Sequence, residues 1–155
     1  MFDFIERDGR SFFGHKQIVK LQSKMISDKD WIRVPKSITV EELCVFLQVT
    51  HGVRLQLTAK ELKRTIEIAS RFGFINTVRY CEQQLIKKDE QSKLKLTRKI
   101  KLAVKFKLER YLNHLIKQIK SPERLMRILK RLKIEKLSSE SMKTFVGKYL
   151  ELIDI

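Results

Sequence analysis

From position 92 to its end the chain has one proline, Pro122, and one glycine, Gly147, while its apolar residues recur every three or four positions. Such spacing leaves little room for anything but amphipathic helices. Leu96, Ile100 and Ala103 make one stripe, and Leu108, Tyr111 or Leu112, Leu115 and Ile119 make a second. Ser121-Pro122-Glu123 reads as an N-cap, a proline at the first helical position and an acid in the first turn. It opens a helix with Leu125, Ile128, Leu129 and Leu132 inward. Ser138 or Ser139 caps the last helix, which is expected to bury Met142, Phe145, Val146, Tyr149 and Ile153. Four helices joined by short turns predict stacked helical hairpins.

The first half is mixed. Asp8-Gly9 between Phe2-Asp3-Phe4-Ile5 and Ser11-Phe12-Phe13 signals a β-hairpin. Ile18, Val19 and Leu21 fit a short helix ending near Ser23 or Met25. Residues 31–35 alternate and stop at Pro35, as a strand would. Residues 37–51 read as a helix with Thr39-Val40-Glu41-Glu42 as a capping box, Val40, Leu43, Phe46 and Leu47 inward and Gly52 beyond its end. Arg54-Leu55-Gln56-Leu57 suits one more short strand. A second capping box, Thr58-Ala59-Lys60-Glu61, starts a helix with Leu62, Ile66, Ala69 and Phe72 inward, closed by Gly73. Ile75, Val78, Cys81 or Glu82, and Leu85 continue as a further helix whose last turn carries Lys87 and Lys88. Residues 87–93 read as a polar seam. The expected fold is therefore α+β, mostly α: a small sheet of short strands with packed helices, then a C-terminal bundle of helical hairpins.

Several function classes drop out. With 43% hydrophobic residues and 7 Pro plus Gly in 155, a disordered or low-complexity chain is excluded. No apolar run approaches the ~18 residues of a membrane span, and the N-terminus lacks the basic and apolar regions of a signal peptide. Only Cys44 and Cys81 are present, so no disulfide framework is expected. An intracellular protein of cytoplasm or nucleus is the expectation. His15, His51 and His114 do not fall at metal spacing with either cysteine, and no phosphate loop, nucleophile elbow or HExxH motif occurs. The cysteines read as small buried hydrophobes. Glu41-Glu42 is explained by its capping box. A binding module is expected, with no catalysis, cofactor or metal.

Charge is uneven. Residues 1–85 hold 14 bases against 10 acids, and 86–155 hold 20 against 8. An acidic partner is favoured, and nucleic acid held by the helices of 92–133, with 15 bases and 2 acids, is the alternative function. Against it, Phe106 and Tyr111 fall on or near apolar stripes, and lysine stems also serve to shield apolar surface. Membrane binding is not expected, because no exposed Trp or Phe face accompanies the basic span.

Phe12, His15, Lys16, Leu21 and Ser23 resemble the opening of a BTB/POZ domain, whose signature is F-x-x-H-K/R before a helix ending in Ser. Residues 32–43 are similar to that family's central strand and following helix. Phe46-Leu47-Gln48-Val49-Thr50-His51-Gly52 stands where the family has F-L-x-x-L-Y-x-G, with His51 in the tyrosine's place. Residues 57–85 look like its last helical hairpin. The resemblance implies a BTB/POZ-like domain over 1–88, shortened between Ser23 and Trp31 where the family has a further helix, and a BACK-like helical extension over 92–155. It also implies function: a protein–protein interaction adaptor that forms homo- or heterodimers of BTB type, or docks a cullin scaffold as a ubiquitin ligase adaptor. Met25, Ile26, Asp28 and His51 are the partner-binding candidates it points to. Ile26 is either an apolar anchor for the scaffold or the residue that closes the preceding helix against the core.

Overall fold

Gly9 takes the left-handed conformation that the hairpin turn requires, with φ of +85°. It joins strands β1 (Phe2–Ile5) and β2 (Ser11–Gly14), which pair antiparallel with Phe4 opposite Phe12. Helix α1 (Lys16–Gln22) leads to β3 (Trp31–Arg33), which runs parallel to β1 on its other edge, so the strand order is β2-β1-β3. Helices α2 (Val40–Thr50), α3 (Ala59–Phe72), α4 (Ile75–Lys87), α5 (Leu96–Lys105), α6 (Glu109–Ile116), α7 (Pro122–Leu132) and α8 (Ser139–Ile153) follow. This computed structural model describes residues 1–23, 25–26 and 29–154, the side chain of Lys136 apart. The protein is α+β and mostly helical, and it divides into two compact units, Met1–Gln84 and Leu85–Ile155. Among the described residues no helix is long and apolar enough to cross a membrane.

In the first unit, strand alternation sends Phe2 and Phe4 inward, where they meet Phe46, Phe72 and Phe74. The rings pack mostly edge-on, with Phe46 and Phe74 centroids 5.1 Å apart. Both threonine caps form as reciprocal capping boxes, Thr39 with Glu42 and Thr58 with Glu61. Gly73, at φ +74°, ends α3 and turns Phe74 into the core. Ile75 is consequently half exposed in the first turn of α4, contrary to the expectation that it packs inward. The expected strand at 54–57 does not form. Val53 N–H bonds to Gln48 O and Leu55 N–H to Val53 O, so this backbone is used locally and only Leu57 turns into the core. β3 stops before Val34, whose N–H still reaches Ile5 O at 2.8 Å, while Pro35 has none to offer.

The short link from α1 to β3 is pinned at both ends. Ser23 pairs with Phe74 in a single antiparallel bridge, and its hydroxyl donates to the Phe72 carbonyl. Asp30 takes Lys16 at 2.5 Å and Lys20 at 2.9 Å, and its carbonyl accepts the Asp3 N–H. Between these points Ile26 joins the core.

In the second unit, Ser121 caps α7 and Ser138 caps α8. The core takes Ile100, Ala103, Leu108, Leu112, Leu115, Ile119, Leu125, Ile128 and Phe145. The inward stripe of α8 is rotated from the expected one. Ser141 and Phe145 are buried and Lys148 nearly so, Met142 and Leu152 are half-buried, and Val146, Tyr149 and Ile153 are exposed. Two stripes share Phe145, and hydrophobicity alone favours the one that the packing against α6 and α7 leaves outside.

Candidate interaction surfaces

Of the described residues that sequence singles out for partner binding, Met25 alone projects freely, at 69% exposure. Its stem rests on the α3–α4 turn, where a Cβ on Gly73 would fall 2.8 Å from Met25 Cγ. Ile26, beside it, is 8% exposed among Phe2, Phe4 and Phe74, so it closes the core and a partner cannot reach it. Asp28 lies outside the described residues. Leu21, on the outer face of α1, is the most exposed large apolar side chain among the described residues, at 86%.

His51 ends α2 and is fully occupied by the fold. Its Nδ1–H donates to Leu47 O at 2.7 Å, which leaves Nε2 as the acceptor for the His15 N–H at 3.0 Å. The ring thus ties the end of α2 to the start of α1. Gly14, between the two, is tight because a Cβ there would lie 3.1 Å from Val19 and 3.4 Å from the His51 ring. His15 and His51, which sequence places 36 residues apart, are one structural joint.

Two further features of this unit carry no sequence signature. A cleft of about 170 Å³ opens between the end of α2 and the start of α4, lined by Gln22, Thr50, Arg54, Thr77 and Tyr80 among others. Its floor is a hydrogen-bonded set in which Thr50 and Thr77 hydroxyls lie 3.0 Å apart and Gln22 donates to Thr50 O. Across α2 and α3, Arg64 holds Glu42 at 2.6 Å and Glu67 at 2.6 Å, and its guanidinium also donates to Ser37 O. Those hydrogen bonds keep the Glu42 carboxyl below its ordinary range. Glu42 therefore serves both its capping box and this cross-helix pair.

Asp89 organises the second unit. It lies in a 3-10 turn within the segment that reads as a polar seam, yet its side chain is 3% exposed. Its carboxylate accepts Lys99 at 2.6 Å, Gln118 at 2.7 Å, the Tyr111 hydroxyl at 3.2 Å and His114 Nε2 at 3.2 Å. Lys99 also donates to the Asp89 carbonyl. Burial pushes this carboxyl up, but the Lys99 and Gln118 hydrogen bonds outweigh it and hold it below its ordinary value. Burial and the adjacent negative charge raise the Tyr111 hydroxyl. Asp89 and Lys99 are buried at the centre of this arrangement, while His114 and Gln118 reach the surface. The arrangement anchors the segment before α5.

Lys99 is the exception among the fifteen bases of 92–133. The other fourteen are exposed, and among the described residues none of them meets an acid. Among those residues no group of three or more His, Cys, Asp or Glu could hold a metal ion. Cys81 is buried, which pushes its thiol up to about 12, so it is a core residue and a poor nucleophile. Cys44 is partly exposed. Neither a known family model nor any curated protein matches the chain.

Proposed function

We propose that residues 1–88 form a BTB-type protein–protein interaction module that binds rather than catalyses, followed over 92–155 by a BACK-like helical extension. The observation that carries this reading is the joining of the motif residues. His15 meets His51, Ser23 seals onto the carbonyl of Phe72, and both contacts knit the hairpin, α1, α2 and the α3–α4 turn into one unit. A motif whose polar members serve the fold leaves its apolar neighbours free for partners, and here those are Leu21 and Met25. In this reading the module acts inside the cell, pairs with a second BTB-type chain, and presents the α1–β3 link to a cullin scaffold as a ubiquitin ligase adaptor does. Met25 replaces Ile26 as the apolar anchor of that surface.

Sedimentation of the full chain and titration with a cullin N-terminal domain test it. Met25→Arg is expected to weaken self-association or scaffold binding at least about tenfold, roughly 1.4 kcal/mol, with the fold intact because the side chain is exposed. Affinity should change little between about 50 and about 200 mM salt, as apolar docking does and phosphate neutralisation does not. A chain that stays monomeric and ignores the scaffold at high micromolar concentration refutes the reading.

A further inference from the structure

Helix α7 exposes Arg124, Arg127, Lys130 and Arg131, and its only acid is Glu123 in the first turn. Arg124, Arg127 and Arg131 fall at i, i+3 and i+7, a row about 10 Å long on one face. Arg98, Lys101 and Lys105 repeat the same spacing on the exposed face of α5. Lys117, Lys120 and Lys133 flank α7 and are exposed as well. None of these ten side chains is neutralised by an acid among the described residues. Unpaired like charge at this density opposes the folded state until a partner of opposite charge relieves it.

We infer that the second unit binds the phosphate backbone of a nucleic-acid duplex, with the α7 row as its main contact. Three observations select this partner. The α7 row is all arginine, whose planar fork matches phosphate bidentately. Tyr111 and Phe145 are core residues and Phe106 is half covered with Lys105 over its ring, so the basic helices offer no platform for stacking unpaired bases. The apolar face of α7, Leu125, Ile128 and Leu129, is buried in the unit and cannot enter a lipid surface. Binding through charge alone is sequence-independent and steeply salt-dependent.

Fluorescence anisotropy of the full chain with a labelled duplex, as DNA and as RNA of one sequence, tests the inference. Neutralising at least four phosphates gives a log–log salt slope of about −3.6 or steeper between about 50 and about 200 mM. The triple variant Arg124→Gln, Arg127→Gln, Arg131→Gln should weaken binding more than about tenfold and flatten the slope by about 2.7. All three side chains are exposed and their loss relieves like-charge repulsion, so its thermal melting should be at or above the parent's. A control triple in the first unit, Lys60→Gln, Arg71→Gln, Arg79→Gln, removes the same charge from exposed positions and should leave binding nearly unchanged. Equal loss in the two triples, a slope shallower than about −2, or binding to phosphatidylserine vesicles without duplex binding overturns the inference.

Discussion

Asp89 and Ile26 are the two residues whose substitution separates competing accounts of this chain. Asp89→Asn leaves the Lys99 ammonium buried with its charge uncompensated, and should cost about 3–5 kcal/mol, measured by urea denaturation of the second unit's signal. Asp89→Leu with Lys99→Met removes both charges and should recover much of that loss. The pH dependence follows from the same contacts. Because the folded Asp89 carboxyl titrates below its unfolded value, its stabilisation is fully present above about pH 4 and is lost as pH falls through the folded value. Asp30, held down to about 2 by hydrogen bonds from Lys16 and Lys20, adds a screened contribution of the same sign, lost between about pH 4 and about pH 2. Stability plotted against pH should therefore fall below about pH 4, and the fall should be shallower in Asp89→Asn. Ile26→Arg forces a charge into the phenylalanine core and should unfold the first unit, whereas Met25→Arg should not. Equal melting temperatures for the two variants would mean that Ile26 is not a core residue.

At the scale of single elements, helix ends carry much of the specification. Thr39→Ala and Thr58→Ala each remove the acceptor for an N3 amide and the partner of a reciprocal glutamate, at about 1 kcal/mol apiece. The Thr39 variant should also loosen Glu42, and with it the Arg64 pair between α2 and α3, so Thr39→Ala and Arg64→Ala should be non-additive in thermal melts. Gly73→Ala meets both a left-handed backbone and the Met25 side chain, and should cost at least about 1–2 kcal/mol. These ends are legible in sequence because a cap is a local event: a hydroxyl, a carboxylate three residues on, or a glycine at the exit. The rotation of α8 is not local. Ser141 and Lys148 face inward because α6 and α7 lie there, and no periodicity computed on α8 alone ranks a stripe with serine and lysine above one with valine and tyrosine.

For the whole molecule, the boundary between units falls at Gln84–Leu85, inside α4 and before Asp89. A fragment of 85–155 keeps Asp89 with Lys99, Tyr111, His114 and Gln118. A fragment of 92–155 strands Lys99 in the core without its counter-ion. The longer fragment should melt cooperatively and at a higher temperature by circular dichroism, and equal melting would show that Asp89 contributes nothing. Residues 87–93 look like a solvated connection in sequence, since six of the seven are charged or amide side chains. One of them, buried and five times hydrogen-bonded or ion-paired through its side chain and carbonyl, makes the segment part of the second unit instead.

Sequence by itself determined the α+β class, the hairpin at Asp8-Gly9, both capping boxes, the glycine exits of α2 and α3, and the four helices after position 92. Each is set by chain-local physics: side-chain period, a cap within three residues, or a residue that tolerates positive φ. Tertiary structure alone decided that Ile26 closes the core while Met25 projects, that His15 and His51 form one joint, that α8 buries Ser141, and that Asp89 is a buried anchor. Those outcomes depend on which surfaces meet across tens of residues, and a polar side chain carries no mark in sequence of the partners that make its burial favourable.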